Sequence, residues 1–107
     1  MRYLTFILLL FLVLPCRATT ARQYYNEALQ EKDSKKQIEL YTKAINKAPK
    51  FISAYHRRGD AYREQGKIKK ALADYTKIIK LSPNDPFKYY ARGLAYLDIK
   101  NYLLNTN

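Results

Sequence analysis

The chain is poor in the residues that usually carry chemistry. Its 107 residues include one cysteine and one histidine. A single thiol, Cys16, excludes an internal disulfide framework and a cysteine metal cluster. The lone histidine, His56, has no thiol beside it and no ordered triad around it, so it makes neither a metal site nor a nucleophile–base pair. Three glycines and four prolines leave little punctuation, which suits helices joined by short turns. Acidic residues are also scarce, nine against twenty basic ones, for a formal charge of +11. Such an excess favours acidic proteins, anionic lipid headgroups or nucleic acid, or else forms a solvated lysine face. At this length the chain is at most one domain with a modest core.

No apolar run approaches the roughly twenty residues of a membrane-spanning helix. The longest, Leu4 to Leu14, is interrupted only by Thr5. It follows Arg2 and precedes Pro15, Cys16, Arg17 and Ala18. A basic start, a short apolar run, then a break and small residues is the layout of a secretory signal peptide over 1–18. Cleavage is expected after Ala18, with Ala21 as the alternative. The mature protein is then secreted or periplasmic rather than membrane-anchored. Pro15 before Cys16, and Arg17 after it, argue against lipidation, so the cysteine is discarded with the leader.

The remainder, 19–107, reads as successive amphipathic helices. A first covers Ala21 to Gln30, with Tyr24, Tyr25, Ala28 and Leu29 at helical spacing. Asp33-Ser34 can cap a second, from about Lys35 to Lys47, ended by Pro49. Ser53 is the expected N-cap of a third, and Gly66 its stop. The fourth runs from about Lys67 to Lys80, ended by the Ser82-Pro83-Asn84-Asp85-Pro86 turn cluster. A fifth runs from Phe87 to about Ile99. Lys100-Asn101 is expected to break it, with a sixth helix beginning at Tyr102-Leu103-Leu104.

These helices repeat. Tyr55-His56-Arg57-Arg58-Gly59-Asp60-Ala61-Tyr62 recurs as Tyr89-Tyr90-Ala91-Arg92-Gly93-Leu94-Ala95-Tyr96. Tyr75-Thr76-Lys77-Ile78-Ile79, then Pro83, repeats Tyr41-Thr42-Lys43-Ala44-Ile45, then Pro49. The step from Tyr55 to Tyr89 equals the step from Tyr41 to Tyr75, so both halves share one period. Self-similarity at a fixed period of roughly 20–50 residues marks a stacked array.

In these residues the chain resembles the tetratricopeptide repeat (TPR) family, built from helix–turn–helix units of about 34 residues. The middle repeat, 52–85, carries the resemblance best. Tyr55, Gly59 and Tyr62 fill the family's aromatic, small and aromatic positions in the first helix. Ala71, Tyr75 and Pro83 fill those of the second. Ile78 stands where the family usually has alanine, and Arg58 where it usually has leucine. The first repeat, about 18–51, matches at Tyr41, Ala44 and Pro49, but has Ala21 in place of the aromatic, Tyr25 in place of the small residue, and Gln37 in the second helix. The third, 86–107, matches at Tyr89, Gly93 and Tyr96 and is truncated. The resemblance implies an all-α fold, a short right-handed α-solenoid of antiparallel helix pairs with about 2.5 units. Gly59 and Gly93 each lower helix propensity by about 1 kcal/mol, a cost offset if bare backbone admits the partner helix.

The resemblance also implies a non-enzymatic protein–protein interaction module, whose first helices line a concave groove for a peptide. Counted in register, the groove residues are Arg22, Asn26 and Leu29, then His56, Asp60 and Arg63, then Phe87, Tyr90, Leu94 and Leu97. One end is polar and partly cationic, the other aromatic and apolar, which suits an acidic peptide or protein with an apolar anchor. The two-carboxylate clamp of some family members is excluded by residue type. Arg22 and Asn26 fit it, but Arg57, Phe87 and Ala91 replace its later donors. Asp60 and Glu64 are expected to form local ion pairs with Arg57, Arg63 or Lys67. Tyrosines at core spacing, rather than among the lysines, argue against nucleic acid. No cofactor or metal is implied. The alternative reading is a basic assembly factor docked peripherally on an anionic membrane. Tyr102-Leu103-Leu104 beyond the last full helix leads to an expectation of self-association through the C-terminal helix.

Overall fold

The computed structural model describes residues 18–105. The expected leader through Arg17, with Cys16, lies outside the described residues. Five helices follow one another: α1 (Ala21–Gln30), α2 (Ser34–Lys47), α3 (Ile52–Glu64), α4 (Ile68–Leu81) and α5 (Pro86–Asn105). Each packs against the next, and no strand occurs among the described residues. The fold is an all-α solenoid of antiparallel pairs.

Local chemistry sets the boundaries. Thr20 accepts a hydrogen bond from the Gln23 backbone N–H at 3.1 Å, and the Gln23 side chain accepts from the Thr20 N–H at 2.7 Å. This reciprocal box satisfies two free donors at the start of α1. Asp33 caps α2 by accepting from the Lys35 N–H at 3.0 Å. The turn after α3 needs Gly66, whose φ of +75° is the left-handed region. There the Gly66 N–H reaches the Arg63 carbonyl at 2.9 Å and the Lys67 N–H the Tyr62 carbonyl at 2.8 Å, a double C-terminal closure.

Two expectations fail here. Ser53 does not cap α3; the helix begins two residues earlier than that cap implies, at Ile52, with Phe51 at the cap position and no side-chain cap bond. Nor does α5 break at Lys100-Asn101. It continues as one helix to Asn105, because neither residue forbids helical backbone as proline would. There is no separate sixth helix among the described residues.

The core lies between the helix layers. Ala44, Ile45, Ala54, Tyr55, Ala71, Tyr75, Ile78, Ala91 and Ala95 are its buried members. Small residues let the helices close, and Tyr75 and Ile78 supply the largest fully buried side chains. A Cβ built on Gly59 would lie 2.7 Å from Tyr75 Cε1, so the close-approach expectation holds there. At Gly93 such an atom would meet nothing within 4 Å, so there the expectation fails.

Where the first repeat departs from the family pattern, other contacts fill in. Tyr25 stacks on Phe51 at 5.0 Å between ring centroids and tilts against Tyr41 at 5.8 Å. Gln37 donates to the Glu31 carbonyl at 2.6 Å. The boundary between repeats carries its own bond. Tyr55 donates to the Pro49 carbonyl at 2.9 Å, and Tyr89 to the Pro83 carbonyl at 3.1 Å.

Candidate peptide-binding face

The first helices of the pairs converge on one side. A hollow of about 170 Å³ is lined by His56, Asp60 and Arg63 from α3 and by Tyr90, Ala91 and Leu94 from α5, with Tyr75 at its base. A neighbouring hollow of about 230 Å³ shares His56 and adds Tyr25 of α1, Arg57, Asp85 and Lys88. Helical spacing explains the grouping. His56, Asp60 and Arg63 are three or four residues apart, as are Tyr90 and Leu94, so each set occupies one stripe.

Several of these side chains are already held. The Tyr75 hydroxyl donates to Asp60 at 2.6 Å, and His56 Nδ1 lies 3.8 Å from the other Asp60 oxygen. Burial pushes the Tyr75 phenol well above its usual value, and the bond to Asp60 adds to this. Arg63 does not pair along its own helix. It reaches across to Asp98 of α5, which raises its already high pKa. The expected pairing of Asp60 with neighbouring cations is therefore corrected: its hydrogen-bond donor is Tyr75, on α4.

Five of the ten expected groove residues thus meet in one hollow: His56, Asp60, Arg63, Tyr90 and Leu94. Four others stand apart from it. Arg22 is exposed and lies over the Phe51 ring at 5.4 Å; Asn26 and Leu29 are exposed on α1. Leu97 is exposed further along α5. Phe87 falls in the first turn of α5, and its side chain lies outside the described residues.

Sequence reasoning missed the residues that fix this face. Arg58 makes a two-pronged contact with Asp74 at 2.7 and 2.9 Å and also donates to Thr42 at 3.1 Å. One guanidinium therefore joins α2, α3 and α4. Asp74 is 4% exposed, and its hydrogen bond is the main reason the Arg58 pKa rises. The signal was available: a cation at a position the family fills with leucine demands a buried partner. Lys88, 8% exposed, lies 3.8 Å from Asp85, and nothing in the periodicity marks it.

Chemically, the face offers an acceptor, cations and an aromatic surface in fixed positions. Among the described residues no group of three or more His, Cys, Asp or Glu could hold a metal ion. No helix there is long and apolar enough to cross a membrane.

Comparison with known proteins agrees with the repeat register. A model described as "TPR repeat" matches residues 59–99, and one described as "Tetratricopeptide repeat" matches 40–73. Together they span more than half the chain. No curated protein sequence matches. Among solved structures, "Crystal structure of MamA protein" is similar at a TM-score of 0.71 and 27% identity, over 77% of this chain. The chain spans 46% of that protein's length. Register, fold and these matches lead to one conclusion: the chain belongs to the tetratricopeptide-repeat family, whose repeats generally mediate protein–protein interaction.

Proposed function

We infer that the protein is a non-catalytic adaptor that holds a segment of a partner protein along the face built by α1, α3 and α5. The observation that carries this is the hollow in which α3 supplies His56, Asp60 and Arg63 and α5 supplies Tyr90 and Leu94. Its polar groups are pre-ordered by Tyr75 and Asp98, so little side-chain entropy remains to be lost on binding. The exposed Arg22 and Arg57 favour an acidic segment, and Tyr90, 61% exposed, offers an aromatic surface for an apolar anchor. The adaptor works outside the cytosol, on the strength of the leader-like layout of residues 1–18.

Affinity capture from the native compartment tests the binding reading. The full chain retains a partner that a variant carrying His56→Ala, Tyr90→Ala and Leu94→Asp loses. Equal recovery by both proteins would remove this face as the binding surface. Fusing the segment from Met1 to Tyr25 to alkaline phosphatase tests the compartment, since that enzyme is active only after export. An inactive fusion contradicts it.

A further inference from the structure

A second recess lies at the edge of the array, next to the face described above: a hollow between them shares Asp60 and Arg63 with the face and Ile68 with the recess. Because α4 runs antiparallel to its neighbours, its first turn lies beside the C-terminal half of α5. The uninterrupted course of α5 carries Ile99 and Leu103 along this edge. Together with Ile68 they give the apolar lining of a cleft of about 750 Å³, Ile68 and Ile99 half-buried and Leu103 exposed, with Gly66, Lys67, Lys69 and Lys70 completing it. The left-handed Gly66 turn sets one side of it. This volume is that of ligand-sized clefts, in which an apolar lining with a few placed charges is usual.

We propose that this cleft is a second docking site, for an acidic segment of a partner protein. One apolar side chain of that segment enters between Ile68, Ile99 and Leu103, and its carboxylates meet Lys67, Lys69 and Lys70. Charge selects this occupant. The three lysines are exposed, and among the described residues no acidic side chain lines the cleft. A second copy brings the same excess of positive charge, +11, and is repelled. A flat anionic bilayer would meet the lysines but leave the recessed isoleucines uncovered. The site does not rest on the reading of the α1–α3–α5 face.

The test is fluorescence anisotropy of the full chain with a labelled probe peptide, a short run of glutamates around one leucine. Lys67→Glu combined with Lys69→Glu is the main variant. Carboxylates at the start of a helix are favourable, and α4 has none in its first turn, so lost binding is not lost folding; circular dichroism checks this. The expected result is about a tenfold or greater loss of affinity. A similar loss follows Leu103→Asp or replacing the probe leucine by serine, and Lys36→Glu, an exposed charge reversal on α2 outside both sites, leaves affinity unchanged. The proposal is overturned by absence of probe binding or by binding that survives the lysine variant. It is equally overturned by loss confined to Tyr90→Ala, which assigns the probe to the other face. Two further results also overturn it. One is lysine-dependent binding to phosphatidylserine vesicles without peptide binding, and the other is a concentration-dependent dimer abolished by Leu103→Asp.

Discussion

Two glycines at equivalent repeat positions behave as different residues. Gly59 is closed over by the Tyr75 ring, and Gly93 faces open space. Gly59→Ala gains helix propensity but drives its methyl into a fully buried aromatic, for a net loss of about 1–3 kcal/mol. Gly93→Ala meets no such neighbour and stabilises by up to about 1 kcal/mol. Urea melts of the two variants measure both, and equal signs would contradict the packing described. Arg58 and Asp74 form the other decisive residue pair. Arg58→Leu alone leaves the Asp74 carboxylate buried without its counter-charge and costs about 3–5 kcal/mol, as Asp74→Leu does in reverse. Replacing both is expected to cost markedly less than either single change. A double-mutant cycle by the same melts reads the coupling, and additive losses would show that the pair does not act as a unit.

At the scale of elements, the helices were legible because their boundaries are written in local chemistry. Thr20 with Gln23, Asp33, Pro49, Gly66 and Pro83 each act within a few residues, and the repeat register located the packing positions between them. Thr20→Ala removes the α1 cap bond and is expected to cost about 1 kcal/mol. Hydrogen exchange should show faster opening of the Gln23 amide, while the Lys35 amide at the Asp33 cap stays protected. What could not be read was non-local. Whether α5 stops at Lys100-Asn101 depends on what its side chains pack against, not on those two residues. Which donor meets Asp60, and where Arg63 reaches, depends on neighbouring helices that periodicity does not align. The candidate face was half legible for the same reason. Register grouped His56, Asp60 and Arg63 on α3 and Tyr90 and Leu94 on α5, which line one hollow, but said nothing of Arg58 and Asp74, partners on different helices, or of Lys88.

At the scale of the whole molecule, buried tyrosines set the alkaline limit. Burial is the leading cause that raises both Tyr41 and Tyr75, with the bond to Asp60 adding at Tyr75. A phenol unfolds to a pKa near 10. Since the folded values lie above that, their contribution to stability is complete below about pH 10 and is lost as pH rises through the folded values. Thermal melts from neutral to strongly alkaline pH should therefore fall above about pH 10, with tyrosinate absorbance rising in the same transition. Tyr75→Phe is expected to flatten that limb; an unchanged slope would assign it to other groups.

The bond from Tyr55 to the Pro49 carbonyl, renewed from Tyr89 to Pro83, has an evolutionary consequence. Its donor belongs to one repeat and its acceptor to the one before, yet both recur with the period of the array. A tandem duplication of residues 52–85 would carry its own joint on both sides. Arrays of this kind can lengthen by copying alone, with no new interface to invent at each step.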